Sequence, residues 1–128
     1  MTRKAKRPSL RVAVVDDDES VRESLPDLLR ELGFEAKAFP SAEEFLAADD
    51  VAATQCLLLD VAMPGMSGPQ LHQELKTRGQ QIPTIFITAR VDAMLRRQLI
   101  DQGAVDCLFK PFSEQQLGAA LEAALRKQ

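Results

Sequence analysis

Five short apolar runs, each followed by a stretch with helical periodicity, constrain this chain more than any other feature. The runs lie at residues 10–15, 34–39, 56–60, 84–88 and 104–109. A run of strand length without polar alternation reads as a strand buried on both faces, as in a parallel sheet. The second run, Phe34 to Phe39, carries Glu35 and Lys37 and reads as a strand nearer an edge. Strand and helix alternating five times mean a parallel sheet with helices on both faces and right-handed crossovers. The fold class is therefore α/β, a doubly wound five-stranded parallel sheet.

The helices are marked at their ends. Ser20 with Glu23, Ser41 with Glu44, and Ser113 with Gln116 have the form of capping boxes. Phe112 and Leu117 are placed as a hydrophobic staple for the last helix, whose apolar stripe is Leu117, Ala120, Leu121, Ala124 and Leu125. Ser67 opens a third helix through Leu71 and Leu75, and Gly33, Gly79 and Gly103 stand where helices stop. Pro26 interrupts the first helix and predicts a kink near residues 22–26. The fourth helix is expected over residues 91–102, with Val91, Met94, Leu95 and Leu99 on one face.

At 128 residues the chain is one domain, with a net charge of −3 that gives no global signature for nucleic acid. Residues 1–9 form a basic N-terminal arm with Arg3, Lys4, Lys6 and Arg7, expected to be a solvated terminus, and the domain proper runs over residues 10–128. No apolar stretch approaches a membrane span, and no signal-peptide core is present. Cys56 and Cys107 both fall in strands without metal-ligand spacing, so they read as reduced core thiols of a cytoplasmic protein. The one histidine, His72, has no second His or Cys near it and is expected at the surface or on a helix flank.

The chemistry gathers where the strands end. Binding sites of parallel sheets lie outside the carboxyl ends of the strands. There the first strand delivers Asp16 and Asp17, the third Asp60, the fourth Thr88 and the fifth Lys110. Clustered carboxylates repel, which implies raised pKa values or a bound cation. All-oxygen ligation suits a hard ion such as Mg²⁺. A nucleophilic carboxylate, a divalent ion, a hydroxyl and an ammonium together make a phosphoryl-transfer site.

Four stretches in order carry a family resemblance: Val14-Val15-Asp16-Asp17-Asp18-Glu19, Leu58-Leu59-Asp60-Val61-Ala62-Met63-Pro64-Gly65-Met66-Ser67-Gly68, Ile87-Thr88-Ala89 and Lys110-Pro111-Phe112. From about Leu10 to Leu125 the chain resembles the CheY-like receiver domain of bacterial two-component response regulators. Ser20-Val21-Arg22-Glu23-Ser24-Leu25 and Gly103-Ala104-Val105-Asp106 resemble the FixJ-type branch. The resemblance implies a flavodoxin-like topology with strand order 2-1-3-4-5. It implies Asp60 as phosphoacceptor, served by a sensor histidine kinase or phosphotransfer protein. Mg²⁺ would be held by Asp17 directly, by Asp16 mainly through water, by Asp60 and by the backbone carbonyl of Ala62. Thr88 would swing toward the phosphoryl group, Lys110 would pair with it, and Lys110-Pro111 would be cis. Arg90, two residues past Thr88, would flank the line of attack by water.

One position departs from the family pattern: Cys107 stands three residues before the lysine, where an aromatic often reports the state of the threonine. Phe109 lies on the same side of the strand and is a candidate to take over that task, on a face of the fourth helix, fifth strand and fifth helix through which family members often dimerise. A second reading is the receiver piece of a DNA-binding transcriptional regulator whose output domain is absent from this chain. Nothing here resembles a helix-turn-helix, so no direct nucleic acid binding is expected, and no membrane contact either. A haloacid-dehalogenase-type phosphatase would need a second acid two residues after the nucleophile, where this chain has Ala62.

Overall fold

The computed structural model describes residues 10–126, so the basic arm expected at residues 1–9 lies outside the described residues. Strands β1 (Arg11–Val15), β2 (Glu35–Phe39), β3 (Cys56–Asp60), β4 (Thr84–Thr88) and β5 (Asp106–Phe109) alternate with helices α1 (Glu19–Glu31), α2 (Ala42–Ala47), α3 (Gly68–Thr77), α4 (Ala93–Asp101) and α5 (Glu114–Arg126). All neighbouring strands are parallel, in the order β2-β1-β3-β4-β5. This is the doubly wound sheet the sequence predicts, with the more polar β2 at an edge.

Alternation along each strand divides the core in two. Ala13, Val15, Leu57, Leu59, Phe86 and Cys107 point to one face, where Phe45 of α2, Leu71 and Leu75 of α3 and Leu99 of α4 cover them. Val12, Val14, Leu58, Ile85, Ile87 and Leu108 point to the other, under Leu25 and Leu29 of α1 and Leu117 and Leu121 of α5. The central strands β3 and β4 are buried at every position, because helices cover them on both sides.

Several local expectations change. The N-cap of α1 is Asp18, not Ser20: the Asp18 carboxylate accepts both the Ser20 N–H at 2.9 Å and the Ser20 hydroxyl at 2.8 Å, so the helix starts earlier. Pro26 lies inside the Glu19–Glu31 span of α1 and is buried. Helix α4 begins only at Ala93, because Asp92 caps the N–H groups of Met94 and Leu95 at 3.1 Å each. Val91 thus precedes the helix, and the expected apolar stripe divides. Leu95 and Leu99 pack inward, while Val91 and Met94 are 79% and 73% exposed.

His72 is the clearest correction. It is 7% exposed and sits edge-on to Phe86, with ring centroids 5.4 Å apart. Leu71, His72 and Leu75 together form the buried side of α3, so the imidazole packs as an aromatic ring. Desolvation, and then the nearby Lys76, hold its pKa below the ordinary value.

Candidate phosphoacceptor and metal site

Strand β1 ends at Val15, and the next two residues are carboxylates. Asp16 is fully buried, and its Oδ1 accepts the Asp18 N–H at 2.9 Å. The same turn that caps α1 therefore also orients Asp16. Arg22, one turn into α1, donates from Nη1 to the Asp16 carbonyl at 3.0 Å. Asp17 is exposed at the lip.

Strand β3 runs beside β1, with Leu59 opposite Val15, so Asp60 follows at the same edge. One oxygen each of Asp16, Asp17 and Asp60 lies within 4.8 Å of the others, a grouping able to hold a metal ion. Asp60 is 6% exposed. Its pKa is pushed up to about 7, first by desolvation and then by the charge of Asp16, while Lys110 pulls the other way.

Lys110 follows β5. Its backbone N–H donates to the Thr88 carbonyl at 2.8 Å, and the Lys110-Pro111 bond is cis. The ammonium forms an ion pair with Asp16 Oδ2 at 3.0 Å and stands 4.0 Å from Asp60 Oδ1. Thr88 ends β4, one residue beyond Ile87, the partner of Asp60 in the sheet. It is buried, and its hydroxyl accepts the Arg90 N–H at 3.1 Å. The Arg90 side chain points to solvent, 78% exposed, with Asp92 3.4 Å away.

The loop after Asp60 is drawn tight by Gly68 at the start of α3. A Cβ at that position would lie 2.2 Å from the Asp60 carbonyl oxygen, so only glycine lets the helix approach the strand end this closely. Ser67 caps α3 in a reciprocal box with Gln70. Ala62 lies exposed in this loop.

The structure brings Asp16, Asp17, Asp60 and Lys110 into one cluster and places Thr88 at the same edge. Cys107 is buried and opposite Phe86 in the ladder, and Phe109 is opposite Thr88. Cys107 and Phe109 both pack on the face with Leu95, as alternation predicts. Phe112 and Leu117 belong to the opposite face. Sequence reasoning did not find Arg22 and Glu43. Arg22 bonds a backbone carbonyl six residues away, and Glu43 bonds the backbone of Met66, 23 residues away. Neither contact leaves a motif.

Comparison with known proteins agrees with this geometry. The response regulator receiver domain family matches residues 12–122. The response regulator protein TodT of Pseudomonas putida is 43% identical over 115 residues, which are 90% of this chain and 51% of TodT. The transcriptional regulatory protein TdiR of Thauera aromatica is 45% identical over 114 residues, 89% of this chain and 50% of TdiR. The chain thus spans about half the length of the curated relatives it matches. The crystal structure of FixJ-N superposes with a TM-score of 0.84 at 38% identity, covering 95% of this chain and 98% of that one. With the matched residues running from β1 into α5 and the acidic cluster at the expected strand ends, this chain belongs to the response regulator receiver domain family.

Proposed function

We propose that this domain, residues 10–128, is a phosphorylation-dependent switch of a two-component system and that Asp60 is its phosphoacceptor. The observation that carries the reading is the trio of Asp16, Asp17 and Asp60 within 4.8 Å, with Lys110 paired to it. The donor set fits Mg²⁺: three carboxylates, mutually repelling, at a site with hard oxygen donors only. Asp17, Asp16, Asp60 and the Ala62 carbonyl would hold the ion. Bound there, it would neutralise charge on a transferring phosphoryl group.

The rest belongs to the chain's own residues. An Asp60 carboxylate oxygen attacks the phosphorus of a histidine-borne phosphoryl group, and the P–O bond forms as the P–N bond breaks and the donor's imidazole leaves with the electron pair. Lys110 pairs with the oxygens of that group, and Thr88 donates its hydroxyl to one of them. A sensor histidine kinase or phosphotransfer protein supplies the phosphoryl group, and the setting is cytoplasmic. The switch answers through the face of α4, β5 and α5, where Phe109 of β5 would offer apolar area to a second phosphorylated copy.

Incubation with acetyl phosphate and Mg²⁺, followed by intact mass, tests the reading. One added phosphoryl group is expected, none in Asp60→Asn and none in Asp17→Ala. Full labelling of the Asn variant refutes Asp60, and wild-type Mg²⁺ affinity in Asp17→Ala refutes the metal assignment. A second reading is favoured by the name of TdiR, a transcriptional regulatory protein of which the matched stretch is 50%. In it, the domain governs a DNA-binding output part outside this chain, and the coding sequence beyond Gln128 distinguishes the two.

A further inference from the structure

The loop between β3 and α3, residues 61–67, follows directly on Asp60, and three elements hold it. Its first residue is tied to β4, the Val61 N–H donating to the Ile87 carbonyl at 3.0 Å. Its end is tied back on itself, the Gly68 N–H donating to the Val61 carbonyl at 3.0 Å. The third tie comes from α2. Glu43 Oε2 accepts the Met66 N–H at 2.9 Å, across 23 residues of sequence.

Gly65 is what allows this contact. Its φ is +74°, and a Cβ there would lie 2.8 Å from the same Glu43 oxygen. Packing reinforces the tie, since Met63 is buried in the cluster that contains Phe45 of α2, and Met66 packs against that cluster. The Met66 N–H holds the Glu43 carboxyl below the usual carboxylate range, so the acceptor is charged and the bond charge-assisted. Helix α2 delivers no residue to the acidic cluster, yet it sets the conformation of the loop beside it.

We propose that Glu43 is a positioning residue for the site: by holding the Met66 N–H across Gly65, it fixes the 61–67 loop and with it the Ala62 carbonyl at the metal position. The proposal rests on the metal assignment above for the Ala62 carbonyl as a ligand, and not on the identity of the phosphoacceptor. The carbonyl of an exposed loop has no side chain to orient it, so its direction is set by the backbone hydrogen bonds on either side. Outer groups that orient metal ligands commonly change affinity by about 10- to 100-fold when removed. A single peripheral tie is expected to fall below that range.

The test uses the whole chain, with Mg²⁺ titrated and followed by amide chemical shifts, amide exchange read at Met66, and the phosphorylated half-life read by intact mass. Glu43→Ala is expected to weaken Mg²⁺ by about 3- to 10-fold and to speed exchange at Met66 by about tenfold. Glu43→Gln keeps an oxygen acceptor while losing the charge that assists the bond, and is expected to fall between wild type and Glu43→Ala in both readings. Glu44→Ala, in the same turn and exposed, is expected to change neither reading. Unchanged Mg²⁺ affinity in Glu43→Ala overturns the proposal. So does an equal loss in Glu43→Gln or Glu44→Ala, which would mark a general effect of charge or of helix stability. If the wild type takes no phosphoryl group, the phosphoacceptor reading fails while the Mg²⁺ and exchange measurements still decide the role of Glu43.

Discussion

Lys110 reaches Asp16 before it reaches Asp60: its ammonium stands 3.0 Å from the first carboxylate and 4.0 Å from the second. Asp16 is fully buried, so the lysine is its counter-ion, and Asp60 keeps a carboxylate oxygen out of direct ion pairing.

Removing that counter-ion leaves a buried charge unpaired. Lys110→Met is expected to lower stability by about 1–3 kcal/mol at neutral pH, less than for a fully buried pair because the lysine side chain is 22% exposed. Adding Asp16→Asn should recover part of the loss. Urea unfolding of the two single variants and the double variant measures the coupling, and strict additivity would refute the pairing.

Asp60 makes metal-free stability depend on pH. Its carboxyl keeps a proton up to about pH 7 in the fold, but ionises near its ordinary value of 3.8 in the unfolded chain. Between those values the folded state binds more protons, so this group's contribution falls as pH rises from about 4 to 7 and stays low above. Asp60→Asn removes that slope. In chelator the variant should exceed wild type by about 1–3 kcal/mol at pH 8 and show no advantage at pH 4. Urea melts at the two pH values check this.

Arg90 donates its backbone N–H to the Thr88 hydroxyl, while its exposed guanidinium stands 3.4 Å from the Asp92 carboxylate. Arg90→Glu and Arg90→Ala keep the backbone contact and change only the side chain. Each is expected to shift the half-life of phosphorylated Asp60 by about twofold or more, in the same direction and further in the Glu variant if charge controls the access of water. An unchanged half-life in both leaves Arg90 a solvated residue at the start of a turn.

Burial pushes the Cys56 thiol up to about 12 and the Cys107 thiol up to about 11. Neither should react with a disulfide reagent at pH 8 in the folded protein, and both should react in denaturant. Cys107→Phe inserts a ring beside Phe86 and is expected to cost about 1–3 kcal/mol. Titration of thiols with and without urea checks the first statement, and melts check the second.

The fold was legible because each level of the sequence agreed with the next. The runs at Val12–Val15 and Leu57–Leu59 had to be internal strands, and their terminal carboxylates had to share an edge. The acidic cluster followed from that placement alone. What was not legible depended on contacts between elements. The cap of α1 moved from Ser20 to Asp18 because two acceptors competed for one helix start. Val91 and Met94 have the spacing of a packed stripe, but Asp92 starts the helix too late to turn Val91 inward. His72 looked like a surface residue because a polar ring carries no sign of the Phe86 edge waiting for it. Glu43 was hidden for the same reason, since its partner is a backbone N–H and any residue can supply one.

The closeness of Gly68 to the Asp60 carbonyl makes residue 68 a hinge pin with no spare room. A side chain there would lie 2.2 Å from that oxygen, so any replacement has to push α3 away from the end of β3. The residues that such a push would carry along are those between the two elements, 61–67, the stretch that leads from the acidic cluster to α3. One missing methyl group keeps strand end, loop and helix start in register.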